Sequence, residues 1–139
     1  MVEHQCNGML QNNAGFSNAT PWLPVHKNHT TVNVLNQEND QNSVLNHFRK
    51  MVALRKDNLL LVYGNYEIIQ EEHPTIYAYS RTLEDQKMLI LLNFSELESS
   101  IALSGYDSAN EVLINNYSEL SADKNTITLK PYQAVVLKL

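Results

Sequence analysis

Few residues in this 139-residue chain are placed to do chemistry. Its carboxylates cluster as Glu71 and Glu72, Glu84 and Asp85, and Glu96 and Glu98, each inside a polar stretch that reads as a turn. Cleaving a bond between two carboxyl groups needs them about 5–10 Å apart on opposite sides of it. Runs in polar turns read instead as solvated surface. Of the five histidines, His26 and His29 can approach one metal, but no partner follows at a ligand spacing. They read as solvated loop residues, and no metal is expected. The single cysteine, Cys6, excludes an internal disulfide framework and a multi-cysteine zinc site. No Gly-rich phosphate loop and no Gly-x-Ser-x-Gly elbow is present, and no cofactor is expected.

What remains is aromatic. Trp22, the only tryptophan, sits between Pro21 and Leu23-Pro24. It is either a sugar-stacking platform or an anchor pinning a long loop to a core, and the anchor is the better reading. Tyr77 and Tyr79 fall on one face of an alternating strand. They can stack on a sugar or a partner helix, or simply pack against the sheet, and sheet packing is the better reading.

The elements that must position these residues divide unevenly. Residues 1–42 are rich in Asn, Gln, Thr and Gly and read as loop, with a turn at Asn12–Phe16 and one helical turn over Val32–Glu38. Ser43–Lys56 is the only convincing long helix. Val44, Leu45, Phe48, Met51 and Val52 form its apolar stripe, and Asp40, Asn42 or Ser43 can cap it. Arg55 lies inside the stripe. It is either a snorkelling side chain at a helix end or a guanidinium paired with a carboxylate across a domain seam.

After an apolar connector over Asn58–Val62, strands are expected at Tyr66–Gln70, Thr75–Arg81, Lys87–Phe94, Ser99–Leu103, Glu111–Asn115, Thr126–Leu129 and Gln133–Leu139. Turns are expected at Glu71–Pro74, Glu84–Gln86 and Ser104–Asp107, and a polar loop over Ser118–Asn125. Ile76, Ala78 and Ser80 share one face, and Tyr77, Tyr79 and Arg81 the other. Short strands joined by tight turns indicate a mainly β chain built as an antiparallel sandwich. A helix and a loop alone cannot bury their own stripe, so the first 57 residues need a partner.

Composition narrows the function classes. A net charge of −5 and the lack of basic clusters outside the helix argue against nucleic-acid binding. No apolar run approaches the roughly 18–20 residues that span a bilayer, and the start lacks a signal-peptide pattern. No membrane partner and a cytoplasmic location are expected. The sequons at Asn18, Asn28, Asn93 and Asn116 matter only in a secretory pathway. In an asparagine-rich chain, chance explains them better.

Read together, Asn13-Ala14-Gly15-Phe16, Thr20-Pro21-Trp22, Val32-Asn33-Val34, Asn42-Ser43-Val44-Leu45, Phe48-Arg49-Lys50, Leu54-Arg55-Lys56 and Val62-Tyr63-Gly64 carry a resemblance. Ile76-Tyr77-Ala78-Tyr79-Ser80-Arg81, Leu91-Leu92-Asn93-Phe94-Ser95 and Leu129-Lys130-Pro131-Tyr132-Gln133-Ala134-Val135-Val136 continue it. The run resembles the C-terminal part of α-amylase-family glucosidases, in the oligo-1,6-glucosidase, α-glucosidase and trehalose-6-phosphate hydrolase group. The resemblance implies a (β/α)₈ barrel followed by a β-sandwich. It makes residues 1–57 the last barrel loop and final barrel helix, and residues 58–139 the C-terminal domain. Phe48, Met51 and Arg55 become candidates for the seam between barrel and domain.

The family's catalytic aspartates and glutamate lie upstream of the matched region, so the resemblance carries over no catalytic residue. Where the family usually has Arg-Thr-Pro-Met-Gln-Trp-Asp near the sugar, this chain has Cys6-Asn7-Gly8-Met9-Leu10-Gln11-Asn12. The implied function is a C-terminal, bracing part of an α-glucosidase-type glycoside hydrolase. Its partner is the barrel, with weak contact to α-glucosides through Trp22, Tyr77 and Tyr79. The alternative is a small carbohydrate-binding or protein-docking β-sandwich module.

Overall fold

The computed structural model describes residue 8, residues 12–103 and residues 111–139. His4, Cys6, most of the run before Asn12 and the turn expected at Ser104–Asp107 lie outside the described residues. The chain divides into two compact units, Met1–Lys50 and Met51–Leu139.

In the first unit, Asn12–Gly15 forms a tight turn with Asn13 and Ala14 at φ 55° and 53°. Helix α1 follows at Val34–Asn39 and helix α2 starts at Val44, running to Asp57. Side-chain amides and hydroxyls hold these pieces. Asn33 caps α1: its carbonyl accepts from the Asn36 amide at 2.9 Å, and its NH₂ donates to the His29 carbonyl at 2.9 Å. Of the three candidate caps for α2, Ser43 takes the position. Its Oγ accepts from the Asn46 amide at 3.2 Å and donates to the Gln37 carbonyl at 2.6 Å. Asn46 Nδ2 bridges the carbonyls of Gln37 and Asp40 at 2.9 and 2.8 Å. Asn33 and Ser43 are buried, and Ala14 is the one buried apolar residue among the described residues of this unit.

The second unit is built on apolar alternation. The short helix α3, Leu60–Tyr63, leads into strands β1 (Asn65–Ile69), β2 (Ile76–Leu83), β3 (Gln86–Asn93) and β4 (Ser99–Ala102). Strands β5 (Glu111–Asn115), β6 (Ser121–Asp123), β7 (Thr126–Leu129) and β8 (Ala134–Lys138) complete it. Every pairing is antiparallel, in a five-stranded sheet ordered β1-β2-β3-β8-β5 and a three-stranded sheet ordered β4-β7-β6. Ile76, Ala78, Leu89, Leu91, Val135 and Leu137 of the larger sheet meet Ile101, Leu103, Ile127 and Leu129 in one core. Each large side chain there contributes roughly 1.5–3 kcal/mol by leaving water. Leu60 of α3 covers the other face, on Met88 and Ile90.

Strand β3 is buried on both faces, as its unbroken apolar run predicts. The two sheets are also stitched by polar side chains from the β1–β2 loop. His73 Nδ1 accepts from the Ile76 amide at 2.9 Å, while its Nε2 faces the Ser100 carbonyl at 3.2 Å. Thr75 and Ser99 hydroxyls pair at 2.7 Å, and Gln70 donates to the Ala102 carbonyl.

Two elements differ from the sequence expectation. The connector over Asn58–Val62 contains α3, whose Leu60 is buried. It turns sharply into β1 at Gly64, where a Cβ would stand 2.5 Å from the Leu60 carbonyl oxygen and 3.0 Å from that of Thr82. The polar loop over Ser118–Asn125 contains β6, an edge strand with all three residues exposed. An edge strand with no buried face has no alternation to announce it.

Candidate functional site

The tyrosines expected on one face of β2 form the most developed surface cluster of the second unit. Register places Tyr66 of β1 opposite Arg81, and Ile68 opposite Tyr79. Tyr66 therefore shares the face of Tyr77 and Tyr79. The ring centroids of Tyr66 and Tyr79 lie 5.3 Å apart, tilted by 39°, and those of Tyr77 and Tyr79 lie 5.6 Å apart, tilted by 49°. The hydroxyls of Tyr66 and Tyr77 share a hydrogen bond of 2.5 Å. That bond, more than anything else, pushes the Tyr66 phenol up to about 12. Burial raises Tyr79, against the opposing pull of Arg81 and Arg55.

Tyr79 packs with the Leu60, Met88 and Ile90 cluster, whereas Tyr66 and Tyr77 are exposed. Of the two stacking candidates on β2, Tyr77 is the one that offers a ring to solvent. Two guanidinium groups stand beside this face. Arg55 Nη1 donates to the Leu61 carbonyl at 2.8 Å, and Arg81 Nη2 donates to the Val62 carbonyl at 3.3 Å. Arg55 is exposed and its hydrogen bond runs to the α3 backbone. The carboxylate that its position in the apolar stripe suggested is not its hydrogen-bond partner here.

Trp22 is 85 % exposed, which corrects the anchor reading. The chain bends at Trp22-Leu23, and the buried positions of its unit are held by Ala14, Asn33 and Ser43. The stripe on α2 is likewise open. Val44 is 82 %, Phe48 62 % and Met51 48 % exposed, and no residue of this helix is buried. The six paired acidic residues are all exposed, in three separate turns. Among the described residues no group of three or more His, Cys, Asp or Glu can hold a metal ion. Nor is any helix among them long and apolar enough to cross a membrane.

A sequence model of the alpha-amylase catalytic domain matches residues 6–64, and one of the alpha-amylase SusG C-terminal domain matches residues 76–136. The order is that of a catalytic-domain match followed by a C-terminal-domain match. The chain is similar, over most of its length, to the C-terminal part of α-amylase-family glucosidases. It is 39 % identical over 131 residues to an oligo-1,6-glucosidase of Bacillus cereus, a match covering 93 % of this chain and 24 % of that protein. It is 35 % identical to a trehalose-6-phosphate hydrolase of Bacillus subtilis, covering 91 % of this chain and 23 % of that one.

The fold agrees. The crystal structure of an isomaltulose synthase from Klebsiella sp. LX3 superposes with a TM-score of 0.87 at 34 % identity, over 95 % of this chain and 24 % of that one. A trehalose-6-phosphate hydrolase of Bacillus licheniformis gives 0.86 at 33 % identity, over 96 % and 25 %. The chain thus spans about a quarter of the length of these relatives.

Among the described residues, two of the resembling motifs have a structural meaning that the sequence hides. Asn93 is buried, and its Nδ2 donates to the carbonyls of Leu97 at 2.8 Å and Lys130 at 3.0 Å, while its Oδ1 accepts from the Ser95 amide at 3.0 Å. Gln133 is also buried. It donates to Asn115 Oδ1 at 3.0 Å and the Glu119 carbonyl at 2.9 Å, and accepts from the Lys130 amide at 2.8 Å. The Asn93 sequon is therefore closed to a glycan in the folded state, since its Nδ2 is already committed. Tyr66 is the surface residue that sequence reasoning passed over. Its signal was parity: antiparallel pairing to β2 puts every second residue of β1 on the tyrosine face.

Proposed function

We propose that this chain is the C-terminal quarter of an α-glucosidase-type glycoside hydrolase, and that it braces the barrel that carries the catalytic carboxylates. The stripe on α2 supports this most. An amphipathic helix with Val44, Phe48 and Met51 in water is stabilised when another apolar surface covers it. On this reading residues 1–57 end the barrel and residues 58–139 form the C-terminal domain. Phe48, Met51 and Arg55 sit at the seam, and the enzyme cleaves α-glucosides in the cytoplasm.

The test is a chimera in which this chain replaces the matching part of the Bacillus cereus oligo-1,6-glucosidase. The chimera is expected to hydrolyse a chromogenic α-glucoside, and the isolated chain to leave it intact. Turnover by the isolated chain that survives purification contradicts the reading.

A second reading, weak α-glucoside binding through Trp22, Tyr77 and Tyr79, is favoured by the exposure of Trp22 and Tyr77. Calorimetric titration with maltose or isomaltose checks it. Heat that disappears in Tyr77→Ala supports it, and absence of heat removes it.

A further inference from the structure

We propose that Tyr132, on the loop that leads into β8, and Tyr117, on the loop that follows β5, form a shallow stacking site for chains of α-linked glucose. The sugar class rests on the glucosidase reading above. Tyr132 has φ 53°, in the left-handed region, where a residue with a Cβ is strained and asparagine or glycine is at ease. The residue is 56 % exposed, so much of it gains nothing from burial.

The backbone beneath it is fixed from both sides. The Tyr132 amide donates to the Ser95 carbonyl at 3.1 Å, and its carbonyl accepts from Asn116 Nδ2 at 2.9 Å. Strain that persists because the surroundings over-determine it is a mark of a used position. The loop presents this ring with little freedom to lose on binding.

The neighbours define the ligand chemistry. Tyr117 Oη donates to the Pro131 carbonyl at 2.8 Å, and Lys130 Nζ stands 5.5 Å from the Tyr117 ring centroid. Tyr132 Oη reaches Glu96 Oε1 at 3.5 Å. The exposed Tyr132 side chain beside one carboxylate, next to a Tyr117 ring that carries the Lys130 ammonium over one face, suits an uncharged ligand with apolar C–H faces and a rim of hydroxyls, which describes a pyranose. A phosphate is disfavoured beside Glu96, and an apolar helix beside both charges.

Native electrophoresis through gels holding soluble amylopectin or dextran tests the site and separates α-1,4 from α-1,6 chains. The chain is expected to be retarded in at least one gel. Tyr132→Asn relieves the backbone while removing the ring. It should melt no lower than the parent chain and bind about tenfold more weakly. Tyr63→Ala, at an exposed tyrosine of α3, should be retarded as the parent is. Retardation unchanged in Tyr132→Asn, retardation lost equally in Tyr63→Ala, or no retardation in either gel overturns the proposal. Hydrolysis of a small glucoside by the chimera tests the glucosidase reading separately, because it does not need this surface.

Discussion

In the first unit Asn33, Ser43 and Asn46 spend their side chains on backbone groups, and Trp22, Val44 and Phe48 face water. In the second, Leu89, Leu91, Leu129 and Leu137 are fully enclosed between two sheets. Capping bonds set local conformation and add about 1 kcal/mol each, whereas an enclosed leucine contributes several times that when truncation is the measure. The difference teaches where each unit finds its stability. The sandwich carries its own core. The first unit has well-formed local caps and leaves Val44 and Phe48 in water.

The comparison breaks first if core truncation is mild. Leu91→Ala in the sandwich is expected to cost about 2–5 kcal/mol in urea unfolding. Asn93→Ala comes next, at about 2–3 kcal/mol, because the Leu97 and Lys130 carbonyls and the Ser95 amide lose their buried partner. Asn33→Ala should cost about 1 kcal/mol of helix stability. It should speed amide exchange in α1 while leaving exchange in the sandwich core unchanged.

Smaller still is an alkaline effect. The Tyr66 phenol is held above its ordinary 10.0, at about 12. The folded state therefore keeps a proton that the unfolded chain releases. Its contribution is present below pH 10 and is lost as pH rises toward 12. Absorbance titration should find tyrosine ionisation delayed beyond the ordinary range, and Tyr77→Phe should shorten the delay by removing the hydrogen bond to Tyr66.

Much of the sandwich was legible because burial writes period two into a strand. Ile76, Ala78 and Ser80 inward, with Tyr77, Tyr79 and Arg81 outward, could be read directly. The α2 helix was legible from its stripe, although the sequence left three residues competing for its cap. Features without a buried face were not legible. Strand β6 is exposed throughout, and α3 is a single turn whose signature is one leucine. Trp22 misled because an indole usually finds a core, and here the surrounding unit has almost none. The candidate surfaces were half visible: Tyr77 and Tyr79 by alternation, Tyr66 only through pairing. The left-handed backbone of Tyr132 left no mark, since no glycine stands there.

The most direct test of the account is the melting temperature of Phe48→Glu in two settings. In the isolated chain Phe48 is already exposed, so the change should fall within about 0.5 kcal/mol. In the chimera with the Bacillus cereus barrel, a carboxylate at a covered apolar position should lower melting by several degrees and activity with it. Equal, small shifts in both settings would contradict the claim that this stripe belongs to a barrel seam.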